Sequence, residues 1–311
     1  MQTKKITITK TFISAYFLII LAVAAGGAYA WKKQHASALS SAQGVAVRDI
    51  QHVKDEKGRI LSEALPVHSM PVHTVPKGAI PVAILMYHHV GMLPEDGDGI
   101  RRDLTVSPEN FTEQVEWLHA NGYQSVTLEQ VYLASQKLFA LPKKAVVFTF
   151  DDGYKDVFDF ALPVLQKYGY VGSFAIAPGL LEKPDYATWA QVLSAKTVGM
   201  EVVSHTETHF DGSSSKYSSE FIKQNLTESL KELDSHLGAV PRILVYPYGH
   251  FTPEYINIAQ SLGFSMGLTT AFGKYVDPND LMHTPRVRVH GTEPLSRFVE
   301  ILTGNKKTAT K

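Results

Sequence analysis

The sequence predicts an α/β fold on parallel strands, and two observations carry that prediction. From Ile80 onward, short runs of β-favouring apolar residues alternate with segments of helical periodicity. Several runs, such as AVVFTF at 145–150, are apolar at successive positions, as strands buried on both faces are. Alternating strands and helices imply parallel strands joined by crossovers. Either a (β/α) barrel or an open doubly wound sheet satisfies this pattern, and both place their sites at the C-terminal strand ends.

The strands are expected at 83–87, 145–150, 173–177, 201–204, 242–246, 264–269 and 286–289. The helices between them have readable ends. Ser107 is an N-cap with Pro108 at the first helical position, and Gly122 stops the stripe of Phe111, Val115 and Leu118. Thr127 and Gln130 form a capping box for the next helix. Further helices are expected after Lys155, ending at Gly169, from Ser219 to Leu237 before Gly238, and from Pro253 to near Gly263.

Ahead of this domain, at 80–305, lie two other segments. Lys4, Lys5 and Lys10 precede an uncharged apolar run at 11–31, close to the ~20 residues of a spanning helix. Residues 1–32 are therefore expected to be a signal-anchor or a signal peptide, with Ala28-Tyr29-Ala30 resembling a cleavage site. Either way the domain is expected outside the cytoplasm, held at a membrane by the N-terminal helix or released after Ala30. Residues 33–79 read as a linker, with His52, His68 and His73 as solvated residues.

The chain of 311 residues carries zero formal net charge, which gives no electrostatic reason for a nucleic-acid partner. It contains no cysteine, so disulfides, thiolate metal sites and a cysteine nucleophile are excluded. Any metal must be held by His, Asp or Glu. Gly263-Phe264-Ser265-Met266-Gly267 matches the G-x-S-x-G pattern, but its serine falls within the strand expected at 264–269 and not on the strand-to-helix turn that a serine hydrolase needs.

Four motifs fall at expected strand ends. Thr149-Phe150-Asp151-Asp152-Gly153-Tyr154 puts adjacent carboxylates after a buried strand, where the turn at Gly153 lets both reach one site. Alone, Asp-Asp-Gly is an ordinary solvated turn. Ser204-His205-Thr206-Glu207-Thr208-His209 places two imidazoles four residues apart, able to face one metal. With one Asp they make a two-His, one-carboxylate set with open positions. Zinc is the default ion for such ligands, with cobalt, nickel, manganese and iron as alternatives. Tyr246-Pro247-Tyr248-Gly249 fixes an unusual backbone path that can point an N–H at an oxyanion. Tyr87-His88-His89-Val90 ends the first strand with a histidine suited to general-acid work.

The combination of TFDDGY, SHTETH and YPYG closely resembles the polysaccharide deacetylase family, the NodB-homology domain of carbohydrate esterase family 4, over roughly residues 80 to 300. The YH-x-V element ahead of TFDDG is similar to the poly-N-acetylglucosamine deacetylase branch. The resemblance implies a distorted (β/α) barrel of about seven parallel strands. It also implies a divalent-metal hydrolase that removes acetyl groups from an N-acetylated polysaccharide, poly-N-acetylglucosamine or peptidoglycan. The protein is expected to be a monomer. By position, Asp151 matches the general base, and Asp152, His205 and His209 match the metal ligands. Tyr248 matches the residue whose N–H binds the oxyanion, and His88 matches the acid. Two departures stand out. Many members carry Arg where Tyr246 stands, so Arg286 or Arg288 is expected to supply that charge, and His290 lies close to where ordinary members carry their acid. His89 is expected to face away from the site, while Trp189 or Tyr186 is a candidate for stacking on sugar rings. An O-acetyl esterase of the xylan type and a non-catalytic glycan-binding protein are the competing readings.

Overall fold

The computed structural model describes residues 78–93 and 98–304. The apolar run at 11–31 and all of the linker up to residue 77 lie outside them. Among the described residues no helix is long and apolar enough to cross a membrane.

The main sheet contains eight strands, β1 (Ala83–Tyr87), β2 (Gln124–Ser125), β3 (Ala145–Phe150), β4 (Ser173–Ile176), β5 (Glu201–Ser204), β6 (Ile243–Val245), β7 (Met266–Phe272) and β8 (Thr284–Arg288). All pair in parallel. The order runs β1-β8-β7-β6-β5-β4-β3, and β3 pairs back onto β1, closing a seven-stranded barrel. The two-residue β2 pairs with the start of β3 at Ala145 and Val146, and β4 joins β3 only from Thr149 on. This wedge distorts the barrel.

Side-chain alternation splits each strand between two layers. On β3, Ala145 and Val147 join Ile84, Val203, Val245, Met266 and Leu268 in an interior cluster. Val146, Phe148 and Phe150 instead pack outward against helices, as do Leu85, Tyr87 and Phe174. Those helices include α2 (Pro108–Ala120) and α5 (Trp189–Thr197). A third cluster sits under α6 (Ser219–Leu237) and α7 (Pro253–Ser261), around Leu226, Tyr246 and Tyr255. The helix α3 (Leu128–Ser135) contributes Leu128 and Val131 to the interior cluster and so plugs the bottom of the barrel. Its first amides donate to the buried Glu201 carboxylate, from Leu128 and Glu129 at 2.9 Å each, an anion at a helix N-terminus.

The caps expected at Ser107 and Thr127 form, each accepting from a first-turn amide, and Thr127 completes its capping box with Gln130. Ser218 and Thr252 cap α6 and α7 in the same way. The helix expected after Lys155 is not regular. A π turn at Val157–Ala161 precedes α4 (Leu162–Lys167), because Pro163 has no N–H to donate back to Asp159. Three helices had no sequence expectation: α1 (Gly99–Leu104), α5 and α8 (Leu295–Thr303).

Candidate metal centre and its surroundings

The alternation that builds the barrel also aims the site. Continuing the interior parity past each strand end gives His88 after Ile84, Asp151 after Val147, and His205 after Val203. Arg286 lies inside β8, its side chain fully enclosed. These positions meet at the C-terminal mouth.

Parity alone would send Asp152 outward. The backbone prevents this: Asp152 has φ 73° and Gly153 φ 84°, so the chain reverses and both carboxylates face one centre. Thr206 (φ 65°), His209 (φ 55°) and Tyr248 (φ 59°) share the left-handed region. Non-glycine residues rarely occupy it, at a cost on the order of 1–3 kcal/mol each, and such outliers gather at functional sites.

Asp152 Oδ1 lies 2.9 Å from His205 Nε2 and 3.0 Å from His209 Nε2. The ligating atoms of the three residues all lie within 4.8 Å of one another. His205 Nδ1 lies 2.7 Å from the Val245 carbonyl, which can only accept. The single proton of a neutral His205 is therefore on Nδ1, and its Nε2 presents a lone pair to a carboxylate oxygen. Two imidazole nitrogens converging on one carboxylate oxygen require positive charge between them, supplied either by protons on the rings, which then donate hydrogen bonds to Asp152, or by a metal ion that the lone pairs would hold. Two borderline nitrogens and one hard oxygen suit a divalent transition ion, so the donor set fits the expected metal. Burial works to raise the Asp152 pKa, but the hydrogen bonds with His205 and His209 outweigh it and hold it well below the usual carboxylate range.

Asp151 is bound differently. Arg286 donates to both its oxygens at 2.8 Å, from Nη1 and Nη2. Arg286 also donates from Nε to the Thr269 carbonyl and from Nη1 to Thr149 Oγ1. Burial pushes the Asp151 pKa up, but the guanidinium more than compensates and keeps it below its ordinary value. Asp151 is thus an ionised carboxylate with no imidazole on it closer than His88, whose Nε2 lies 3.9 Å from Oδ2. Burial lowers the His88 pKa, and the charges of Asp151 and Asp152 only partly restore it.

Of the two arginines expected to replace the missing motif charge, Arg286 meets Asp151. Arg288 pairs with Asp103 at 2.6 Å, and His290 holds the other oxygen of Asp103 at 2.7 Å. Tyr246, in the motif position, is buried against Phe251 and Tyr255. Tyr248 is exposed, with its ring edge-on to His209 at 4.7 Å. Of the candidate sugar-stacking residues, Trp189 lies face to face on His236 at 3.9 Å, and Tyr186 on Tyr154 at 5.0 Å. His89 has the opposite strand parity to His88 and lies among other partners than the Asp152, His205 and His209 group. It forms a contact set with Arg101, Tyr154 and Asp156. No sequence motif signals that set, since Arg101 and Asp156 lie 12 and 67 positions from His89.

The structure places a histidine-carboxylate cluster that could hold a metal ion beside an arginine-held aspartate, at the mouth of a closed parallel (β/α) barrel. Known proteins share this arrangement of sequence and fold in part. Residues 140–267 match the family model described as polysaccharide deacetylase. That stretch contains Asp151, Asp152, His205, His209 and Tyr248, while His88 and Arg286 fall outside it. YxkH of Bacillus subtilis strain 168, named as a candidate polysaccharide deacetylase, is 29% identical over 206 residues, covering 66% of this chain and 70% of that protein. The poly-beta-1,6-N-acetyl-D-glucosamine N-deacetylase of Escherichia coli K12 is 27% identical over 72% of this chain, which spans 39% of its length. The solved structure of the Streptococcus pyogenes deacetylase PplD in complex with acetate superposes with a TM-score of 0.66 at 27% identity, covering 72% of this chain and 98% of that one.

Proposed function

We propose that this protein is a metal-dependent N-deacetylase acting on a poly-N-acetylglucosamine chain. The observation that carries the reading is the division of labour between adjacent aspartates. Asp152 faces two imidazoles, while Asp151 is kept ionised by Arg286 and kept off the cluster. The resemblance to the Escherichia coli deacetylase supports the polymer, and the acetate in the PplD structure fits the product.

Asp152, His205 and His209 would hold the ion. A divalent cation there, with zinc the default, supplies Lewis acidity toward the acetamide carbonyl and toward water. Asp151 takes the proton of the attacking water as it adds to the acetyl carbon. The Tyr248 N–H donates to the oxyanion that develops. His88 delivers a proton to the departing amine, because an amide anion leaves very poorly, and acetate and a glucosamine unit are released. The basic residues ahead of the apolar run at 11–31 support an extracytoplasmic, membrane-anchored enzyme.

The test is acetate release by the purified chain from poly-β-1,6-N-acetylglucosamine, with peptidoglycan and O-acetylated xylan in parallel. Release from the N-acetylated polymer, lost on chelation and restored by zinc or cobalt, is expected. Release from xylan alone would contradict the reading.

His88 and His290 separate in a second assay. His88→Ala is expected to lose about 10²–10⁴-fold in rate, the usual value of a proton-transfer group. His290→Ala, which removes a partner of the half-exposed Asp103, is expected to retain most of its rate. Inactivity of the His290 variant alone would reverse the assignment of the acid.

A further inference from the structure

His89 is buried, and both its ring nitrogens are committed. Arg101 Nη1 lies 2.7 Å from Nε2, and a guanidinium can only donate, so Nε2 is the acceptor. The ring proton is therefore on Nδ1, which donates to Asp156 Oδ2 at 2.8 Å. One face of the ring lies on Tyr154, with centroids 3.6 Å apart, and Arg101 lies over the same tyrosine at 5.7 Å. The geometry comes at a cost, since Asp156 Oδ1 is buried without a hydrogen-bond partner, an arrangement that calls for a reason. Gly91 makes room for it: a Cβ there would meet Asp156 Oδ2 at 3.2 Å and the Asp156 Cβ at 3.3 Å.

The contacts link two catalytic segments. His89 directly follows His88, whereas Tyr154 and Asp156 follow the turn that carries Asp151 and Asp152. The third partner, Arg101, comes from α1, which has no buried residue and is fastened by charge. Its Asp103 holds Arg288 and His290, while its Arg101 holds His89. We infer that His89 is a positioning residue: through Asp156 and Tyr154 it sets the spacing between His88 and Asp151, and Arg101 fixes its tautomer. The inference rests on the deacetylase reading for its rate consequences, because displacing one reacting group by about 1 Å can cost up to 10²-fold.

Three variants in the full-length chain test it. His89→Phe keeps the stack on Tyr154 and loses both hydrogen bonds. Asp156→Ala removes the acceptor, and Asp156→Asn keeps an acceptor oxygen. His89→Phe and Asp156→Ala are expected to lower kcat about 10- to 100-fold. KM and zinc affinity should be unchanged, because the ligands are untouched. Asp156→Asn is expected to restore most of the rate. Wild-type kcat in His89→Phe would overturn the inference, as would an Asp156→Asn variant no better than Asp156→Ala with KM and zinc affinity lost in parallel. A crystal structure of His89→Phe separates this from the choice of substrate. The His88–Asp151 distance is expected to depart from 3.9 Å, and its retention would overturn the positioning role even if the wild type proved inactive on every polymer tried.

Discussion

Asp151→Asn is expected to abolish acetate release almost completely while leaving metal affinity at the wild-type value. Asparagine is nearly isosteric and still offers Arg286 one acceptor oxygen, so the mouth of the barrel keeps its shape. What disappears is a carboxylate able to take a proton. Asp151 is not among the residues that converge on the imidazoles, so ion binding should not follow the rate down. The loss is expected at about 10²–10⁴-fold in kcat, the range for removal of a general base. Steady-state kinetics beside a zinc titration read both quantities. Retained turnover would remove Asp151 from the base role, and a joint loss of zinc and turnover would make it a ligand.

The second large effect falls on stability and pH together. Arg286→Gln leaves Asp151 buried without its counter-charge, and breaking one side of a buried pair costs about 3–5 kcal/mol. In the wild type burial favours a higher Asp151 pKa, yet Arg286 holds it below the ordinary value. The pair therefore contributes stability above the unfolded-state pKa, and that contribution is lost as pH falls through the lower folded-state value. In the variant burial is opposed only by the smaller influences of His88 and His205, and the carboxyl moves up. The stability gap between wild type and variant, read by urea unfolding, should be full at neutral pH and shrink in acid. The acid limb of kcat/KM should also shift to higher pH, since the base must be ionised. An unchanged acid limb with undiminished stability would mean that Arg286 does not govern Asp151.

The parts of this molecule differ in how far sequence could reveal them. β3 and β5 run over the residues expected, 145–150 and 201–204, because fully buried strands leave unbroken apolar runs. β7 extends to Phe272 rather than ending at 269, since its exposed end pairs with β8 across an irregularity between Leu268 and Phe272. The sequence did hold a signal for α5, in Thr188 and Gln191, which form a capping box like that of α3. α1 has an N-cap in Asp98 but no capping box, and without a buried face it leaves no apolar periodicity to read. Within the site, residue types and strand-end positions were legible for Asp151, Asp152, His205 and His209. The choice between Arg286 and Arg288 was not, because both have the same parity on β8 and only the closed barrel decides which one reaches Asp151. The positive φ at Asp152, which turns two neighbours toward one centre, is likewise a property of the folded loop.

The central claim is that Asp152, His205 and His209 gather one cation, and direct metal titration of the purified chain tests it. Isothermal titration with zinc should give one site per chain in the wild type and no measurable binding at that site in His205→Ala, with Asp151→Asn indistinguishable from wild type. Undiminished zinc stoichiometry and affinity in the His205 variant would contradict the account.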